Sequence, residues 1–138
     1  MIREATSGDV AHIVAMGERM AAKAQLATGY DADSVALTLS HLIDDPNGIL
    51  LVSDTGMIGG MCYPHPFNHS VKIGQEFFWY SEGSDGPDLL KAAEGKAREL
   101  GASHWTMLAQ ETMRPEVVGR YYGRQGYQPL ERSYIKEL

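Results

Sequence analysis

Apolar residues recur along this chain in two periods, and the switches between those periods divide it into elements. Residues 1–5 set apolar Ile2 beside polar Arg3 and Glu4, as a short strand does. Thr6-Ser7-Gly8-Asp9 follows, a hydroxyl with a carboxylate three residues on, which is the pairing that satisfies the first amides of a helix. Val10, Ile13, Val14, Gly17, Met20, Ala21 and Ala24 then fall at helical spacing. Gly29-Tyr30-Asp31 interrupts that pattern. Val35, Leu39, Leu42 and Ile43 line one face of a second helix, and the run from Asp44 to Gly48 stops it.

The middle of the chain changes to strand periodicity. Ile49-Leu50-Leu51-Val52 and Met57 to Tyr63 flank an Asp54-Thr55-Gly56 turn and read as a hairpin. Pro64 to His69 reads as a loop, and Lys72 to Tyr80 as the strongest strand. Pro87 suits the first turn of a helix that carries Leu89, Leu90, Ala93, Ala97 and Leu100, with Gly101 just past its end. Trp105 to Leu108 is a further strand. Pro115 opens a last helix, Gly126 ends it, and Tyr127 to Lys136 reads as a closing strand. The order β-α-α-β-β-β-α-β-α-β predicts one α/β domain over residues 1–138. Its sheet is mixed, with helices on both faces and a right-handed crossover.

Composition narrows the function classes. With 138 residues the chain suits about one domain, large enough to bury roughly two thirds of its unfolded surface. The net charge of −6 argues against nucleic acid as a partner, since phosphates need a basic stripe. A single cysteine, Cys62, excludes an internal disulfide and is expected to be a small buried hydrophobe. No apolar run approaches the roughly 20 residues of a membrane span. The first residues lack the charged and apolar regions of a secretion signal, so a cytoplasmic protein is expected, without a membrane partner.

Three stretches resemble the GNAT family of acyl-CoA-dependent N-acetyltransferases. Ile2 to Asp9 is similar to the family's opening strand and capped helix. Tyr121-Tyr122-Gly123-Arg124-Gln125-Gly126-Tyr127 resembles its aromatic-Tyr-x-x-x-Gly-aromatic motif. Glu76-Phe77-Phe78-Trp79-Tyr80, after Pro64-His65-Pro66-Phe67-Asn68-His69, looks most like members encoded by bacteriophages and prophages. The resemblance implies a twisted sheet of six to seven strands. It also implies direct transfer of an acetyl group from acetyl-CoA to the primary amine of a small molecule or a protein. Tyr122 then matches the general acid and Glu76 the base, with strand amides around Phe78, Trp79 and Tyr80 as oxyanion donors. Gly83, Ser84, Gly86, Leu89 and Lys91 match the cofactor's pyrophosphate site, and Tyr30, His65 and Phe67 the acceptor side.

The chain departs from that family in two places. The family's pyrophosphate loop carries Arg or Gln; here residues 81–88 carry neither and hold three carboxylates, Glu82, Asp85 and Asp88, which repel a phosphate. Pro87 removes one amide from the cradle, and Pro115 stands where the family often has a cofactor-binding Asn. These departures support a competing expectation: an inert protein of the same fold, serving as a phage accessory, structural or protein-binding module. His65 and His69 sit four apart but without Cys or carboxylate neighbours, so no metal is expected. The final strand is the edge best suited to pair with a second copy in a homodimer.

Overall fold

The computed structural model describes residues 1–138. The chain falls into two compact units, Met1–Leu108 and Ala109–Leu138.

The first unit is a five-stranded sheet in the order β1-β2-β3-β4-β5. Its strands are β1 (Arg3–Glu4), β2 (Gly48–Val52), β3 (Gly56–His65), β4 (Asn68–Ser81) and β5 (His104–Thr106). Neighbours from β1 to β4 run antiparallel, while β5 lies parallel to β4 after the crossover through α3 (Gly86–Glu99). The sheet is therefore mixed, as the pattern predicts. Helix α1 (Val10–Ala24) follows a 3-10 turn in which Asp9 accepts the Thr6 amide at 2.8 Å. Helix α2 (Ala32–Asp44) is capped by Asp31, which accepts the Ser34 amide at 2.9 Å.

Every residue from Ile49 to Val52 is buried, so both faces of β2 are covered. Leu50 and Val52 join Met57 and Tyr80 beneath Ile13 and Met16 of α1 and Leu39 and Leu42 of α2. By strand alternation Ile49, Leu51 and Ile58 face the other way, where α3 buries Leu89, Leu90, Ala93 and Ala97.

Two expectations need correction. The Pro64 to His69 stretch is not a loop: β3 runs to His65, β4 begins at Asn68, and only Pro66 and Phe67 form the turn. Proline is tolerated because β2 ends opposite Met61, leaving Pro64 without a second neighbour. Tyr127 to Lys136 forms no strand, so the sheet has five strands, not six to seven. The apolar positions there, Tyr127, Leu130, Tyr134 and Ile135, do not alternate, and Pro129 lacks a donor. No helix is long and apolar enough to cross a membrane.

The second unit contains α4 (Pro115–Arg124). Gly126, at φ +92°, turns the chain after the helix, and the Tyr127 amide returns to the Tyr122 carbonyl at 3.0 Å.

Candidate functional site

The site grows from one irregularity in β4. Phe78 pairs with Gly59 but Glu76 pairs with Gly60, so Phe77 is an extra residue, a bulge, and is exposed. On the far side, β4 pairs with β5 only at Ile73, Gly74 and Gln75. Beyond Gln75 the two strands no longer pair. Thr106 holds the apex, its one hydroxyl proton shared between the Gly74 carbonyl at 3.0 Å and Gln75 Oε1 at 2.7 Å.

Glu76 is the first residue past that apex. It is 6% exposed, and Oε1 accepts the Leu108 amide at 2.8 Å. Burial pushes its pKa up from an ordinary 4.5 to about 7, against the smaller opposing pull of the Leu108 amide. No buried side-chain oxygen lacks a partner, and Oε2 has none within the protein, so Oε2 reaches solvent. A carboxylate that titrates near neutrality and keeps one oxygen accessible can take a proton from an amine.

The other end of β4 leads into residues 81–88. Two of their three carboxylates are held by partners. Glu82 is gripped by Arg19 of α1, Nε to Oε2 at 2.6 Å and Nη2 to Oε1 at 2.9 Å, and accepts the Tyr80 hydroxyl at 3.2 Å. These contacts lower its pKa, the Arg19 hydrogen bond most. Asp85 is turned inward and caged by hydroxyls: Ser53 in a short contact, Ser81 at 2.5 Å and Thr55 at 3.2 Å. Those donors hold its pKa below the usual range. Asp88 stands in the first turn of α3.

The amides divide in the same way. The Glu82 amide goes to the Thr55 carbonyl, Gly83 to the Ser81 hydroxyl and Leu89 to the Asp85 carbonyl. The Ser84 amide makes no backbone bond, and Gly86 and Asp88 lie in the first turn of α3, whose amides have no partner within the helix; Gly86 is buried. The donor set thus fits a pyrophosphate through Ser84 and Gly86, while the side chains of the loop supply no cation.

The side chains at the other expected positions have the following surroundings. Leu89 is fully buried in the core, and Gly83 accommodates Thr55, whose Oγ1 would lie 2.7 Å from an added Cβ. Lys91 is exposed on α3. Phe78 and Tyr80 turn toward the α1–α2 core, and Trp79 donates to the Gly86 carbonyl at 2.9 Å. Tyr30 donates to the Val14 carbonyl at 2.7 Å and packs against Gly17, so it ties the α1–α2 connection to α1. The His65 and Phe67 rings meet at a tilt of 55° at the β3–β4 turn, with Phe67 94% exposed. Nine residue steps along β4, about 30 Å, take the chain from Phe67 to Glu76, so this pair is not brought to the fork. In the second unit Tyr122 is buried, its ring 5.5 Å from that of Tyr127 and 6.4 Å from that of Tyr121.

Sequence reasoning does not find Arg19, Ser53, Thr55 or Ser81. Arg19 sits on the polar side of α1, and nothing in the sequence couples it to a carboxylate 63 positions away.

No protein-family model matches the chain, and no curated protein matches it in sequence. Solved structures match it in fold. A ribosomal-protein-alanine N-acetyltransferase from Brucella melitensis biovar Abortus 2308 superimposes with a TM-score of 0.71 at 18% identity, over 100% of this chain and 98% of its own. A protein from Clostridium acetobutylicum, named a predicted acetyltransferase with acetyl-CoA, gives 0.75 at 13% identity over 99% and 95%. A transcriptional regulator from Bacillus halodurans C-125 gives 0.75 at 20% identity over 100% and 99%. At these identities the likeness is one of fold: the chain has the mixed α/β fold of the GNAT acetyltransferases.

Proposed function

We propose that this chain is a GNAT-family N-acetyltransferase that moves the acetyl group of acetyl-CoA directly to a primary amine on a small molecule or a protein. The observation that carries this reading is Glu76: a carboxylate at the β4–β5 fork, held near neutrality by burial, with one oxygen open. Bound acetyl-CoA supplies the acyl thioester. The amides of Ser84 and Gly86 hold its pyrophosphate. Glu76 Oε2 takes the proton that the amine loses as its nitrogen bonds to the acyl carbon. Backbone amides of β4 from Phe78 to Tyr80 stabilise the oxyanion. As the carbon–sulfur bond breaks, the sulfur takes a proton from the Tyr122 hydroxyl, the role implied by its motif.

A second reading has its own support. The loop offers no cation, and a protein of the same fold is named a transcriptional regulator. In that reading the fold is an inert binding module.

Calorimetric titration with acetyl-CoA, with desulfo-CoA beside it, separates the two. We expect saturable binding tighter than about 100 μM, roughly −5.5 kcal/mol. Tyr122→Phe should then cut turnover by about a hundredfold or more while binding barely moves. No heat and no thermal shift at millimolar CoA would sink the enzyme reading.

A further inference from the structure

The loop's missing cation has a counterpart on the neighbouring helix. Arg19 and Lys23 lie one turn apart on α1. The Arg19 guanidinium is bidentate on Glu82, and the Lys23 ammonium stands 5.4 Å above the Tyr80 ring, whose hydroxyl binds the same carboxylate. One cation therefore grips the carboxylate, and a second stands near it over the Tyr80 ring. Of the other acids of the loop, Asp85 is caged by Ser53, Thr55 and Ser81, while Asp88 is exposed in the first turn of α3 and counts against an anion there.

We propose that Arg19 is the phosphate-binding cation of this site, and that Glu82 occupies it until an anionic ligand arrives. This inference rests on the reading of the site as a CoA site. Three features support an exchange rather than a permanent clamp. Arg19 and Glu82 are both solvent-accessible, with side chains 51% and 30% exposed, and ion pairs in such settings contribute little. The guanidinium fork matches phosphate as well as carboxylate. Glu82 would not be left stranded, because Tyr80 donates to it and Lys23 lies close by. The sequence departure at residues 81–88 is then a relocation, with the cation arriving from α1 instead of from the loop.

A clamp and a reserve cation predict opposite signs for one of the two partners. Under the clamp, Arg19→Gln and Glu82→Gln both loosen the loop and both weaken CoA binding. Under the exchange, Arg19→Gln weakens binding by about tenfold, whereas Glu82→Gln releases Arg19 and tightens it several-fold. Arg19→Lys keeps the charge, loses the fork and should fall between. The experiment is calorimetry on wild type and the three variants, each checked for an unchanged melting curve, with CoA, pantetheine and inorganic pyrophosphate as ligands. The ordering Glu82→Gln, wild type, Arg19→Lys, Arg19→Gln for CoA and pyrophosphate, with pantetheine indifferent, supports the proposal. Parallel weakening, or no change in either Gln variant while wild type binds CoA, overturns it and leaves the CoA reading standing. If wild type binds no CoA but Glu82→Gln binds pyrophosphate, the enzyme reading falls and the assignment of Arg19 survives. If no protein binds any of the three ligands, both fall.

Discussion

At Glu76 one residue carries two opposed requirements. Its carboxyl must be buried enough to titrate near neutrality, and that burial costs stability whenever it is ionised. The linkage has a definite sign. An unfolded glutamate ionises near 4.5 and the folded one near 7. Below 4.5 both states hold the proton and the neutral acid is buried without penalty. Between 4.5 and 7 the unfolded chain releases its proton while the folded chain keeps it, so stability falls as pH rises through that window. The total loss is on the order of 3 kcal/mol. Glu76→Gln still accepts the Leu108 amide but has no proton to lose. We expect this variant to melt at nearly constant temperature from pH 5 to pH 8 and above wild type at pH 8, as followed by scanning fluorimetry. Its turnover should fall by about 10² or more, because Gln cannot act as a base. A variant that loses activity and pH-8 stability together would make Glu76 a strut rather than a base.

At the scale of elements, the fork depends on how β5 sits on β4, and two glycines decide that. The Trp105 indole lies across Gly74 of β4 and reaches Gly60 of β3. A Cβ on Gly74 would come within 2.3 Å of Trp105 Cε3, and one on Gly60 within 2.9 Å of its Cη2. No rotamer of a large, half-buried ring relieves contacts that short without moving β5. Gly74→Ala is therefore expected to destabilise the protein by about 1–3 kcal/mol, seen as a lower denaturant midpoint at unchanged slope. Because β5 leads to Leu108, the same substitution should disturb the amide that binds Glu76. The elements themselves were largely legible in the sequence. Asp9, Asp31, Pro87, Pro115 and Gly126 mark helix ends by local chemistry, and local chemistry is what a sequence displays. The bulge at Phe77 and the glycine–indole contacts were not legible, because each is settled by a partner strand. The candidate site divides in the same way. Glu76 was recognisable as a carboxylate on a strand, but the ion pair of Arg19 with Glu82 and the hydroxyl cage of Asp85 are long-range pairings. Counting charges along loop 81–88 leaves out the partners of Glu82 and Asp85, while Asp88 stays exposed in the first turn of α3.

At the scale of the whole molecule, buried side chains are distributed very unevenly. Apart from Tyr122, every buried hydrophobic residue lies between Ala5 and Ala97. Residues 128–138 are all exposed, including Leu130, Tyr134, Ile135 and Leu138, and their amides donate to no group in the protein. Nothing in that segment resists opening, so its local stability is near zero, while β2 and β3 open only with the global core. Hydrogen exchange followed by mass spectrometry should show full exchange of residues 130–138 at the earliest times. Protection should be greatest over Ile49–Val52 and Met57–Cys62. Deleting residues 128–138 should shift the melting temperature by no more than about 2 °C, since surface changes of this kind stay within about 0.5 kcal/mol. The edge strand expected to pair in a homodimer is not formed, so pairing through this segment would require it to order against a second copy. Pairing of that kind would appear as exchange protection over 127–136 that grows with protein concentration and vanishes on dilution. At low micromolar concentration, where single copies dominate, we expect none.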